Sequence, residues 1–127
     1  MWLVNLKNID MTQEEIKYNK LCADVMGWQN LNDDSYPEYL TPMGDFYSLK
    51  NLMFDSDWNW IMEVVSAIER LKNKDGYRFQ VLIQDNICVI EESNKIFDSN
   101  QREYAETKKE ATVQAIYKFL IWYNENT

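Results

Sequence analysis

The chain has 127 residues with 46% hydrophobic and 14% aromatic content, enough for one domain to bury a core without disulfide or metal staples, and too apolar for a disordered tail. It carries 13 Lys/Arg against 21 Asp/Glu, a net charge of −8, and no histidine. That balance argues against duplex nucleic acid and anionic membranes as partners. The missing imidazole removes the commonest general base, the histidine triads and most transition-metal sites.

The opening MWLVNLKNID has only a short apolar patch and lacks the basic start and cleavage site of a signal peptide. No apolar run is long enough to span a membrane. A cytoplasmic location is the default expectation. Residues 1–10 read as an extension or an edge strand, and residues 11–127 as a single α+β domain. MTQEEIKYNKLCADVMGW predicts the first helix. Thr12 and Glu15 have capping-box spacing, Ile16, Leu21, Cys22, Val25 and Met26 form an apolar stripe with Tyr18 alongside, and Gly27 suits the stop. Residues 29–56 hold both prolines and many aromatics and acids, predicting a packed loop with a short strand near 46–50.

FDSDWNWIMEVVSAIERLKNKDG predicts the second helix. Ser56 or Asp57 is the N-cap, Ile61, Val64, Val65, Ile68 and Leu71 form the buried stripe extended by Trp58 and Met62, and Asp75-Gly76 is the stop. Next, YRFQVLIQDNICVIEES reads as a β-hairpin turning at Asp85-Asn86, with Tyr77, Phe79, Val81 and Ile83 on its inner face. SNKIFDSNQREYAE reads as a polar connection. TKKEATVQAIYKFLIWYNEN is the last helix, opened by Thr107 and Glu110 and buried along Ala111, Ala115, Ile116, Phe119, Leu120 and Tyr123. The predicted architecture is a small antiparallel sheet packed with three helices, an α-β-α sandwich. Trp58, Val65, Ile68, Ile116, Phe119 and Leu120 are expected to be buried.

Few motifs carry chemistry. Asp55 and Asp57 resemble a metal-binding DxD, but the same pair is a helix N-terminus signal, so no metal site is assigned. Trp58 and Trp60 diverge by about 200° on a helix and do not share one pocket. Cys22 and Cys88 belong to no CxxC and read as reduced core thiols. Arg70, Lys72, Lys74 and Arg78 form the one basic cluster, which either compensates the helix dipole or contacts a phosphate. Trp60, Trp122 and Tyr77 are candidates for stacking or for an interface. With three glycines in all, a phosphate-cradling loop is not expected, and no cofactor is implied.

YNKLCADVMGW, FDSDWNWIMEVVSAIE, the hairpin and TKKEATVQAIYKFLIWYNEN together resemble the phage ABA sandwich domain family of small bacteriophage and prophage proteins. The resemblance spans about residues 16–125 and rests on Gly27-Trp28, Ser56 to Val65 and Trp122 to Glu125. Asp55 stands where the family often has a histidine. The resemblance implies a fold and a viral setting, and no catalytic residues.

Two functions follow as expectations. The first is a non-enzymatic phage counter-defence protein in the host cytoplasm that sequesters a nucleotide-derived immune signal. The second is a protein–protein inhibitor or adaptor, DNA-mimic-like in its acidity, that meets a basic host surface through the acidic, aromatic loop around Asp33–Tyr47. A homo-oligomer, with a dimer favoured, is also expected. Trp2, Leu3 and Val4 need a burial surface, and Trp60 and Trp122 lie at the edges of their helical stripes.

Overall fold

The computed structural model describes residues 12–31, 38–93 and 101–126. The expectations for residues 1–10, and for the Asp33 part of the acidic loop, lie outside them. Three helices, α1 (Gln13–Val25), α2 (Trp58–Arg70) and α3 (Lys108–Glu125), accompany two three-stranded antiparallel sheets. The smaller sheet holds β1 (Gln29–Asn30), β2 (Glu38–Leu40) and β3 (Phe46–Ser48); the larger holds β4 (Phe79–Gln84), β5 (Ile87–Glu92) and β6 (Gln101–Tyr104). The fold is α+β, as the residue pattern predicts, with the strands divided between two sheets.

The local signals explain the helix starts. Thr12 and Glu15 form the reciprocal capping box at 3.0 and 3.1 Å, and Thr107 Oγ1 accepts from the Glu110 amide. Asp57 caps α2 by accepting from the Asn59 and Trp60 amides at 2.8 and 3.4 Å. Its neighbour Trp58, expected to be buried, is only half-buried. α2 ends at Arg70, earlier than predicted, because Leu71 is extended and Lys72 bridges to Arg78. The Asn73 side chain accepts from the Asp75 and Tyr77 amides at 2.9 Å each, and this local turn competes with further helix. Lys72 and Lys74 therefore lie beyond the helix, and Tyr77, expected inward, is exposed.

On α1 the buried residues are Glu15, Tyr18, Asn19, Cys22 and Ala23, whereas Ile16, Leu21, Val25 and Met26 are half-buried. Polar groups enter that face because they have local partners: the Asn19 amide donates to the Glu15 carbonyl at 2.9 Å. Tyr18 crosses the core, and its hydroxyl donates to the Phe54 carbonyl at 2.8 Å.

The hairpin turns where predicted, with Asp85 at φ 52°. Phe79 pairs with Glu92, Val81 with Ile90 and Ile83 with Cys88, so these six side chains share one face. α3 covers that face, since Phe79 meets Phe119 at 4.9 Å, and α2 packs on β4. The opposite face carries exposed Gln80, Leu82, Gln84, Arg102 and Tyr104. β6 replaces part of the expected polar connection. It is held to β5 through its backbone and to α3 through the Lys118–Glu103 ion pair at 3.0 Å. At the other edge the Val81 amide donates to Glu69 of α2 at 3.4 Å.

The core joins all layers: Tyr18, Leu52, Phe54, Ile61, Val64, Ile68, Ile90, Ile116, Phe119 and Leu120 are buried. Val65 is buried as well. No helix among the described residues is long and apolar enough to cross a membrane.

Candidate functional site: an aromatic pocket at the start of α2

Three separate turns carry rings to one place. Gly27, at φ 78°, turns the chain after α1, and the Trp28 amide donates to the Ala23 carbonyl. Tyr47 sits in β3 opposite Tyr39. Trp60 is set in the first turn of α2 by the Asp57 cap. Trp28 and Tyr47 stack with centroids 5.6 Å apart and planes at 14°. Trp60 meets both edge-on, at 5.6 and 5.1 Å, and Phe54 closes the cluster from the core at 4.9 Å from Trp60. Such pairs contribute about 0.5–1.5 kcal/mol each beyond their buried area, so the rings form a rigid wall.

That wall borders a pocket of about 390 Å³, completed by Met26, Thr41, Pro42, Met43, Asp45, Asn59 and Glu63. Its rim is the tight β2–β3 loop. The Asp45 amide donates to Thr41 Oγ1 at 3.1 Å, and Gly44 adopts φ 94°. Met43 is 88% exposed at the tip. Among the described residues the lining holds two carboxylates and no Lys or Arg. A shallower hollow of about 320 Å³, between Met26, Met62, Glu63, Ser66 and Arg70, shares Met26 and Glu63 with it and so continues it along α2. Physically the groove offers flat rings, thioethers and negative charge, which suit an apolar segment carrying cations.

The basic cluster does not converge. Arg70 lines the far end of this groove, whereas Lys74 lines a different pocket, with Trp122, beyond the C-terminal end of α2. Lys72 and Arg78 face each other across a two-residue bridge. Trp60 and Trp122 enter two different ring clusters. Asp57 is engaged as a helix cap, and among the described residues no three Cys, Asp or Glu side chains are gathered to hold a metal. Cys22 and Cys88 are buried free thiols. Tyr47 belongs to the acidic, aromatic loop around Asp33–Tyr47 that the sequence offers as a contact surface, and Trp28, signalled only by its position just after the helix stop, joins it here.

No family model, curated protein or solved structure matches the chain.

Proposed function

We propose that this is a non-enzymatic binding protein whose Trp28–Tyr47–Trp60 groove holds a segment of a protein partner bearing basic and apolar side chains. The carrying observation is the composition of the groove: three packed rings and two methionines bordered by Asp45 and Glu63, with no cation among the described residues of the main pocket. Hydrophobic anchoring supplies affinity there, and the net charge of −8 steers a basic partner toward it. The absence of histidine and of a phosphate loop supports a role without turnover. On the resemblance to the phage family, the partner would be a host protein and the setting the host cytoplasm.

Calorimetric titration with peptides that pair Arg or Lys with Leu, Met or Trp tests this. Binding is expected to weaken with salt and to fall at least about tenfold on Trp60→Ala or Glu63→Lys. Thermal-shift screening with cyclic oligonucleotides and ADP-ribose derivatives is the opposing arm. Stabilisation by one of those anions, unaffected by Trp60→Ala, overturns the proposal in favour of nucleotide sequestration.

A further inference from the structure

A second pocket, of about 190 Å³, lies beyond the C-terminal end of α2, where Asn73, Lys74, Asp75, Phe79 and Glu92 meet the last turn of α3. It shares no residue with the groove above. Glu92 is the last residue of β5 and pairs directly with Phe79, so its side chain points to the face that α3 covers. The Phe79 ring lies 4.9, 6.1 and 5.8 Å from those of Phe119, Trp122 and Tyr123. Glu92 is thereby carried into an aromatic surround, and the residue is only 6% exposed.

We propose that this pocket binds a compact organic cation, an alkylammonium or alkylguanidinium group. Three independent features point the same way. A carboxylate withdrawn from water interacts strongly with a nearby positive charge, because the surrounding medium screens it poorly. The faces of Trp122 and Tyr123 attract cations, and a planar guanidinium also stacks on them. α3 ends at the pocket, and its final carbonyls present the negative end of the helix dipole. The geometry there is fixed. The Tyr123 hydroxyl donates to the Lys72 carbonyl at 3.2 Å, and the Asn126 side chain donates to the Trp122 carbonyl at 2.7 Å.

Among the described residues the charges in the lining are Asp75 and Glu92 against Lys74, so an anion such as phosphate is disfavoured. The volume, below the roughly 300–1,000 Å³ of pockets for drug-sized ligands, restricts the occupant to a small head group. Lys74, read in the sequence as a phosphate contact, is here a lining charge that opposes a bound cation, and Trp122, read there as a stacking or interface residue, supplies the stacking wall.

The test follows the Trp122 indole resonance by NMR, assigned through Trp122→Phe. Ethylguanidinium and butylamine serve as free cations, a capped Gly-Arg-Gly tripeptide as a cation on a chain, and inorganic phosphate as the anion. A saturable shift with the free cations is expected, and its presence or absence with the tripeptide distinguishes a side-chain ligand from a small amine. Glu92→Gln is expected to weaken binding about tenfold or more. Lys74→Ala, at an exposed loop position that does not endanger folding, is expected to strengthen it about two- to threefold. No shift with any cation at tens of millimolar, a shift with phosphate instead, or weaker cation binding in Lys74→Ala overturns the proposal.

Discussion

Mild alkali should destabilise this protein, and the two thiols should account for most of the loss. Cys88 is fully buried, and that burial pushes its thiol up to about 12, with its hydrogen bond with Thr112 opposing and Glu103 adding a little. Burial likewise raises Cys22, opposed by its hydrogen bond to Tyr18 and helped by Asp55. Burial also raises Tyr18 above the usual phenol range, with Cys22 second. An unfolded thiol titrates at about 8.5. From there upward the unfolded chain releases thiol protons that the folded chain keeps. The unfolded state then binds fewer protons, so stability falls as pH rises and is untouched below that window. At about pH 10 the difference is roughly 2 kcal/mol per thiol, or about 4 kcal/mol for the pair, and Tyr18 adds a few tenths. Urea unfolding under reducing conditions, at neutral pH and at about pH 10, measures it. A Cys22→Ala/Cys88→Ala variant should be less stable at neutral pH, from lost packing, yet should lose most of the pH dependence. An equal alkaline loss in parent and variant would refute the reasoning, since it would mean that both thiols ionise within the folded state.

Thr12→Ala and Thr107→Ala should each cost about 1 kcal/mol in urea unfolding, because each hydroxyl caps a helix. Asp57→Ala should cost a similar ~1 kcal/mol as a lost cap, with no nucleotide turnover in either form under Mg²⁺ or Mn²⁺. Turnover by the parent that vanishes in the variant would contradict the non-enzymatic proposal. Light scattering at micromolar concentration should give a dimer mass; a monomer mass counts against the self-association proposed from the N-terminal apolar residues.

Local chemistry was legible in the residues, and tertiary convergence was not. Thr12 with Glu15, Asp57, Thr107 and Asp85 act within four residues of themselves, so their roles could be read from spacing. β6 escaped because Gln101–Tyr104 carries no alternating apolar pattern; its register comes from the backbone of β5. The end of α2 was misplaced because Asn73 forms its own side-chain turn. Of the groove, the aromatic and acidic loop was visible as composition, but the meeting of Trp28, Tyr47 and Trp60 depends on three turns far apart in the chain. The burial of Glu92 was hidden for a similar reason. Its neighbour Glu91 is also acidic, and only the pairing with Phe79 assigns Glu92 to the covered face.

The Glu69 carboxylate on the Val81 amide has a consequence for life at high concentration. An edge strand with open amides is a template on which another chain can lengthen the sheet without limit. Here a helix of the same chain places an acceptor on one of those amides, and with it a negative charge that an approaching strand would have to desolvate. That edge of β4 is thus partly occupied within the chain itself, at Val81 by a side chain and just before the strand by the Lys72 bridge to Arg78, which leaves fewer open amides for another strand to pair with.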